Sequence, residues 1–214
     1  MLEINNLSKE FVYEKFKLDN VSFKLEPGYI MGFIGPNGSG KSTTIKLIMN
    51  LLKKDSGEIK IFGKDHLKYE KEVKDRIGFV YDESHFYETF TIEEMKNVIA
   101  PFYSKWDDKL FYDYLKDFDL GPEYKIKTLS KGMKMKFSLA IALSHNPDLI
   151  IMDEPTSGLD PIFRREILDV LYSSAICSKS DVIWVEKNMA LFSSWIIIGL
   201  ENTILPLFIY VASN

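Results

Sequence analysis

Apolar and polar positions have two different periodicities along the first fifty residues. They alternate in "LEINNLSKEF" and in "LDNVSFKLEPG", which is typical of half-buried strands, with a turn at Pro27 and Gly28. "YIMGFI" is an almost continuous apolar run ending at Ile34, the pattern of a strand covered on both faces. After a glycine-rich stretch, "STTIKLIMNLL" spaces its apolar residues as a helix does. The pattern therefore predicts strands, a loop and a helix, in that order.

The middle of the chain continues this alternation of strands and helices. "GEIKIFG" and "RIGFVYDE" indicate strands, and residues 91–118 have helical spacing interrupted by Pro101. "KMKFSLAIALSHNP" predicts an amphipathic helix that Pro147 stops, and "DLIIMDEP" predicts a short strand that ends in two carboxylates. "DPIFRREILDVLYSS" predicts a further helix with Pro161 in its first turn. At 214 residues, the expected structure is one α/β unit.

Composition excludes several classes of protein. Apolar residues make up 46% and charged residues 27%, values that argue against disordered and fibrous chains. A net charge of -4 provides no long-range attraction to nucleic acid or anionic lipid. Cys177 is the only cysteine, which excludes an internal disulfide and fits a reducing cytosol. The start "MLEINNLSKE" lacks the basic and apolar regions of a signal peptide.

The strongest chemical signal is "GPNGSGKST", which fits G-x-x-x-x-G-K-[ST] between a predicted strand and a predicted helix. Glycines let successive backbone N–H groups point at phosphate oxygens, and the helix N-terminus adds its positive end. Lys41 is expected to reach the β and γ phosphates, and the Ser42 hydroxyl to hold Mg²⁺. The predicted nucleotide-binding residues are Gly35, Pro36, Asn37, Gly38, Ser39, Gly40, Lys41, Ser42 and Thr43.

A second signal is the carboxylate pair in "LIIMDE", Asp153 and Glu154, which follows four apolar residues. Asp153 is expected to orient Mg²⁺ through its water shell, and Glu154 to polarise the attacking water as a catalytic group beside Lys41. Taken alone, the pair could equally be a strand followed by a helix-capping acid. The phosphate loop in the same chain favours the catalytic interpretation.

Residues 128–161, "TLSKGMKMKFSLAIALSHNPDLIIMDEPTSGLDP", resemble the signature helix, Walker B strand and D-loop of the ATP-binding cassette (ABC) ATPases in unbroken order. The resemblance covers nearly all of residues 1–170. It implies a P-loop NTPase (RecA-like) α/β core with an antiparallel β subdomain and a small α-helical subdomain. The whole chain, residues 1–214, would be one nucleotide-binding domain, with the helical subdomain at about residues 84–146.

The resemblance also implies contacts in trans. Two copies would dock head to tail, so that Ser130 and Gly132 of one meet the γ-phosphate bound by the other, and Asp160 lies at the seam. A hydroxyl and a backbone N–H at a helix N-terminus suit an anion. The family further implies an aromatic ring under the adenine, which falls on Phe11, with Tyr13 a close second.

Two short motifs depart from the family pattern. The signature is usually LSGGQ, whereas this chain has Lys131 for the first internal glycine and Met133 for the glutamine. In "IGFVYDES", Asp82 stands where the family has a glutamine. A carboxylate there can hold Mg²⁺ directly or through water, but it adds negative charge beside the phosphates.

The closing segment "MALFSSWIIIGLENTILPLFIYVASN" admits two registers against the family. In one, "LFSS" is a strand, Trp195 takes the place of the switch histidine and "LFIYVASN" is the last strand. In the other, "DVIWVEK" is the strand and Lys187 takes that place. Neither register provides a histidine, because the chain's three are His66, His85 and His145.

The same segment is nearly long enough to span a membrane, but Glu201, Asn202 and Pro206 interrupt it. It is therefore expected to be core. From about residue 172 the end remains open to three interpretations: native, frameshifted or truncated.

The expected function is that of an ATP-hydrolysing transporter subunit using ATP and Mg²⁺. Its expected partners are a second nucleotide-binding subunit, in a homodimer or heterodimer, and an integral membrane permease, with no nucleic acid. It would lie in the cytoplasm, peripheral on the inner face of the membrane. Because the switch histidine is missing, a nucleotide-binding module with little or no turnover is the alternative. A soluble ABC ATPase acting on DNA or ribosomes is a third interpretation, disfavoured because long insertions and a second cassette are lacking.

Overall fold

The computed structural model describes residues 1–11, 16–81, 85–155, 181–186 and 207–211. The chain divides into two compact units, Met1–Lys74 with Asp181–Asn214, and Asp75–Ser180. The strands are β1 (Leu2–Glu10), β2 (Lys17–Leu25), β3 (Ile30–Ile34), β4 (Ser56–Ile61), β5 (Lys64–Asp65), β6 (Ile77–Val80), β7 (Leu149–Asp153), β8 (Asp181–Glu186) and β9 (Leu207–Val211). The α-helices are α1 (Lys41–Ile48), α2 (Glu70–Lys74), α3 (Ile92–Ile99), α4 (Asp108–Asp117) and α5 (Lys131–Leu143).

The first unit contains an antiparallel sheet with the strand order β2-β1-β4-β5. Leu2 and Ile4 of β1 are buried, as the alternating pattern predicts. The pairing register shifts between Ile4 and Leu7, and Leu7 is buried as well. Leu2 is paired with Leu25 on one side and with Ile61 on the other, so apolar side chains from three strands meet. The runs "LEINNLSKEF", "LDNVSFKLEPG" and "GEIKIFG" form three of its four strands, β1, β2 and β4.

The first unit also contains a parallel set in which β3 lies between β8 and β9. All five residues of β3 are buried, as its continuous apolar run predicts. The strands beside β3 come from "DVIWVE" (β8), which is the strand of the second register, and from "LFIYV" (β9), which belongs to the last strand of the first register. Residues 191–194, Trp195 and Lys187 lie outside the described residues, as does the helix predicted at residues 160–174.

The second unit contains the parallel pair β6 and β7, in which Ile77 lies opposite Leu149. Helix α5 approaches β6 so closely that a Cβ on Gly78 would lie 2.5 Å from the Ala142 carbonyl oxygen. Residues 91–118, for which helical spacing was predicted, contain α3 and α4, with a 3-10 helix at Ala100–Phe102 where Pro101 interrupts the pattern. These helices fall within residues 84–146, and the limits of the helical subdomain stay a prediction.

A buried histidine ties the segment before α4 to the rest of the second unit. His145 is fully buried, its Nε2 lies 3.2 Å from the Ile77 carbonyl oxygen, and its ring stacks on Tyr103 at 3.9 Å. Burial lowers the pKa of His145 to about 4, so the ring is neutral near pH 7. The Asp107 N–H donates to the Ser144 carbonyl oxygen over 2.8 Å, which fixes the same segment through the backbone.

Within the described part of the chain, every helix is too short or too polar to cross a bilayer.

Candidate functional site: a phosphate loop and a carboxylate strand

The glycine-rich loop connects the buried strand β3 to α1, as the sequence predicts. β3 ends at Ile34, and Gly40 precedes the first helical residue with φ 89°, in the left-handed region. A Cβ on Gly40 would lie 2.7 Å from Leu18 Cδ1 and 3.1 Å from Phe16 Cζ. Both the dihedral angle and the lack of space therefore require glycine at this position.

Lys41 turns back over this loop instead of extending into solvent. Only 4% of the residue is exposed, and Nζ donates to the carbonyl oxygens of Gly35 at 2.6 Å and Pro36 at 2.9 Å. The ammonium group is thereby held along the inside of the loop. A charge kept in such a place by neutral carbonyl groups is suited to neutralise an anionic ligand.

The same loop and the first turn of α1 contain further hydrogen-bond donors. The Ser39 hydroxyl is buried and has no hydrogen-bond partner among the described residues, while Ser42 and Thr43 are half-buried in the first turn of α1. That turn contains no acidic residue, so the positive end of the helix is not compensated by a side chain of its own first turn. An ammonium group, hydroxyls and helix N–H groups form a donor set that fits a polyphosphate such as that of ATP.

The ring of Phe16 lies beside the loop, and the ring of Phe11 lies next to that of Phe16. The centroids of Phe11 and Phe16 are 6.0 Å apart, their planes are tilted by 43°, and both residues are half-buried. The family resemblance implies that Phe11 lies under the adenine, and this stays a prediction. The ring that borders Gly40 is that of Phe16. Phe16 directly precedes β2 and stands two positions before Leu18, and both side chains lie near Gly40. Tyr13 lies outside the described residues.

The predicted carboxylates lie at the carboxyl end of β7 in the second unit. Four buried residues of this strand, Leu149–Met152 in the sequence "LIIM", bring Asp153 and Glu154 to its carboxyl end. Asp153 is half-buried, whereas Glu154 is 6% exposed and has φ 48°. The left-handed region costs a residue with a side chain about 1 kcal/mol or more, and such strain concentrates at functional positions.

The signature residues lie at the start of α5. Ser130 is the exposed N-cap, and its hydroxyl accepts from the Met133 N–H over 3.2 Å, whereas Gly132 is buried in the first turn. The hydroxyl hydrogen of Ser130 remains available to a second acceptor. Asp160 and Asp82 lie outside the described residues.

A metal-binding cluster of three or more His, Cys, Asp or Glu side chains is not found in the described segments. Of the three predicted Mg²⁺ ligands, Ser42 lies in the first unit and Asp153 in the second, and Asp82 is not described. Hydroxyl and carboxylate oxygens are the donors that Mg²⁺ prefers, with phosphate oxygens and water completing its shell.

Comparison with known proteins agrees with this geometry. The profile of the family described as "ABC transporter" matches residues 18–157. The bacitracin transport ATP-binding protein BcrA of Bacillus licheniformis is 33% identical over 207 residues, which cover 95% of this chain and 64% of that protein. The zinc uptake system ATP-binding protein ZurA of Listeria innocua is 38% identical over 172 residues, which cover 75% of this chain and 66% of that protein. The chain thus spans less than two thirds of these relatives' lengths.

Solved structures show the same architecture. The ATP-binding subunit of an ABC transporter superimposes with a TM-score of 0.80 at 27% identity, covering 91% of this chain and 82% of its own. The ATP-binding cassette MJ0796, in a dimeric post-hydrolysis state bound to ADP and Pi, gives a TM-score of 0.76 at 26% identity, covering 89% and 90%. The predicted α/β class, with its P-loop core, antiparallel β portion and helical portion, is confirmed. The motifs of this chain, its fold and the matching family profile agree, and the chain belongs to the ABC transporter family as an ATP-binding subunit.

Proposed function

We propose that the chain hydrolyses ATP with Mg²⁺ and thereby drives transport through a separate membrane subunit. The observation that carries this proposal is the phosphate loop, in which the buried ammonium of Lys41 is held by the Gly35 and Pro36 carbonyl oxygens at the start of α1. Membership of the family supports ATP binding and ATPase activity in general.

The candidate residues would have different chemical roles. Lys41 and the N–H groups of residues 35–43 bind the β and γ phosphates and stabilise charge on the transferring phosphoryl group. Glu154 polarises the attacking water as the general base. Ser42 and Asp153, with Asp82 as a further ligand, would hold Mg²⁺, which neutralises phosphate charge when bound.

A second nucleotide-binding subunit would complete the site. Ser130, exposed at the start of α5, would meet the γ-phosphate bound by the other copy, together with Gly132, and Asp160 would lie at the seam. The dimeric state of the similar cassette MJ0796 supports this arrangement.

The second unit also carries exposed aromatic side chains that suit a membrane partner. Tyr81 is 39% exposed, Tyr87 62% and Phe102 75%, and exposed aromatic residues are enriched where proteins bind each other. Relatives are described as transport or uptake ATP-binding proteins. We accordingly place the chain on the inner face of the membrane, against an integral permease.

The placement of the histidines favours a second candidate, a nucleotide-binding module with little turnover. His66 is buried in the first unit against the Ile59 carbonyl oxygen, His145 is buried in the second, and His85 lies against the Tyr81 ring. The residue after β8 is Lys187, so a histidine does not follow that strand. Slow hydrolysis is expected, and separate Lys187→His and Trp195→His variants would show which position restores it.

The decisive experiment is steady-state hydrolysis of Mg²⁺-ATP by the purified chain, with Glu154→Gln as the blank. A working enzyme exceeds this blank by about a hundredfold or more, since that is the usual contribution of a general base. Equal rates with ATP still bound would instead establish the module. A chain that does not bind ATP would refute both functions.

A further inference from the structure

We propose that His145 acts as a pH-sensitive latch: the neutral ring holds residues 103–107 against the rest of the second unit, and the protonated ring releases them. These residues, named here the latch segment, connect the 3-10 helix at Ala100–Phe102 to the start of α4. The latch lies outside the residues assigned to ATP, so it does not depend on the proposed function.

Two attachments of the latch segment lead to His145 or to its neighbour in sequence. The Tyr103 ring stacks on the His145 ring, with centroids 3.9 Å apart and planes inclined by 19°. The Asp107 N–H donates to the Ser144 carbonyl oxygen over 2.8 Å. Burial raises the pKa of Tyr103, so only His145 changes its charge within the stack when the pH falls. A change in the charge of the His145 ring therefore acts on the docking of the whole segment.

The His145 ring occupies a place that favours its neutral form. The residue is 0% exposed, and its Nε2 lies 3.2 Å from the Ile77 carbonyl oxygen. Nδ1 is buried and makes no hydrogen bond to the described residues, although the Ile141 carbonyl group is near enough to favour a charged ring. Protonation would bury a charge away from water, which is costly. It therefore favours a state in which the segment opens and water reaches the ring.

Charged groups near the ring do not offset its burial. Asp75 favours the charged ring, and Lys105 opposes it. The Asp75 carboxylate already accepts from the Ser104 N–H over 2.6 Å and from the Ser104 hydroxyl. The Arg76 guanidinium group, just before β6, is paired with Asp148 at 2.7 Å. Burial is therefore the dominant influence on the charge of the ring.

The attachments respond to acid in two separate ranges of pH. Burial lowers the pKa of His145 from 6.5 to about 4 in the docked segment. Docking is therefore complete above pH 6.5 and weakens as the pH falls from 6.5 towards 4, because the released form takes up the proton first. Burial acts to raise the pKa of Asp75, but the hydrogen bonds from Ser104 lower it below the usual 3.8. The Asp75 attachment is thus lost only below pH 3.8, after His145 has responded.

Release of the latch segment would change the surface of the second unit. Phe102, which is 75% exposed, immediately precedes the segment. At its other end, the Asp107 carboxylate caps α4 by accepting from the Leu110 N–H over 3.0 Å. Acidification would therefore alter both the apolar surface at Phe102 and the start of α4.

The test is amide hydrogen exchange of the full chain, expressed as protection factors so that the intrinsic pH dependence of exchange cancels. For the Ser104 and Asp107 amides, the opening constant is expected to rise roughly fiftyfold between about pH 7 and about pH 4.5. In His145→Gln, which keeps an N–H donor but cannot be protonated, it should change by less than about twofold. His66→Gln is the matched control, because His66 is a buried histidine of the first unit, and it should retain the full rise.

A second measurement follows the His145 ring itself by NMR. Its signal should titrate near pH 4 in the unmodified chain and closer to 6.5 in Tyr103→Ala, which removes the stacked ring. The inference is overturned if His145→Gln keeps the pH dependence of the latch segment, or if the ring of the unmodified chain titrates near 6.5. Parallel loss of protection in β3 of the first unit would indicate global acid unfolding and would overturn it as well.

Discussion

Helices α1 and α3 are the same length, eight residues, yet they begin in opposite ways. At α3 the Thr91 hydroxyl accepts from the Glu94 N–H at 3.1 Å, and the Glu94 carboxylate accepts from the Thr91 N–H at 2.8 Å. This is a complete capping box. At α1 the N-cap is Gly40, which has no side chain with which to cap, and the first helical residue is Lys41.

The difference shows that the N–H groups at the start of α3 are satisfied by the chain itself, whereas those at the start of α1 are left for a ligand. The first N–H groups of a helix need acceptors, and its positive end favours negative charge. α3 has Glu93 and Glu94 in its first turn, whereas α1 has no acidic residue there and begins with a lysine. The start of α1 is therefore unfavourable as an isolated helix and becomes favourable when a polyphosphate binds.

The largest effect on this comparison is expected from Lys41→Ala. Removing a cation aimed at the transferring phosphoryl group should lower ATP hydrolysis about a hundredfold or more. The matched control is Lys46→Ala, which removes an exposed lysine from the last turn of the same helix and should keep nearly full activity. Comparable losses in the two variants would show that the position of the charge is unimportant, contrary to the geometry. Both rates are measured at saturating Mg²⁺-ATP.

Gly40→Ala is expected to have the next largest effect. The new Cβ would lie 2.7 Å from Leu18 Cδ1 and 3.1 Å from Phe16 Cζ, and the alanine would have to adopt φ 89°, which a residue with a side chain disfavours. We expect ATP affinity to fall about tenfold, consistent with roughly 1–3 kcal/mol of local strain. Gly63→Ala separates strain from contact, because Gly63 has φ 74° with open space around it. It should keep ATP affinity, and equal ATP dissociation constants for the two variants would refute the steric argument.

Thr91→Ala tests α3, the helix that is capped by its own side chains. Loss of this N-cap should lower the free energy of unfolding by about 1 kcal/mol while ATP affinity stays unchanged. Thr91→Ser keeps the hydroxyl and should retain most of the stability. Urea unfolding and equilibrium ATP binding are measured on the same samples. A change in ATP affinity beyond about twofold would mean that the capped helix is not merely structural.

The sequence predicts the start of α1 and helical spacing from residue 91, and local rules determine both. The glycine, lysine and serine of "GSGKS" and the Thr91–Glu94 spacing each specify a backbone arrangement within a few residues. The buried strands β3 and β7 follow from uninterrupted apolar runs in the same way. These features required no knowledge of the tertiary structure.

What the sequence could not supply depends on contacts between distant segments. The closeness of Phe16 to Gly40 arises because the start of β2 packs on the loop, 24 positions further along the chain. The pattern left two registers, since "DVIWVEK" and "LFSS" are both apolar enough. Pairing with Met31 and its neighbours shows that "DVIWVE" forms β8, whereas residues 191–194 lie outside the described residues. The burial of His145 is equally a result of packing, because its partners Ile77 and Tyr103 lie far away in sequence.

The smallest effect is expected from Glu94→Gln, which preserves an oxygen that can accept from the Thr91 N–H but removes the charge. The free energy of unfolding should fall by about 0.5 kcal/mol at low ionic strength, the usual contribution of one acid to a helix N-terminus. Because the Debye length shrinks to about 3 Å at 1 M salt, the difference from the unmodified chain should nearly vanish there. Urea unfolding with and without NaCl measures it, since urea adds no ions. A deficit that persists in high salt would assign the loss to the hydrogen bond, and the charge contrast between α3 and α1 would then be irrelevant to α3's stability.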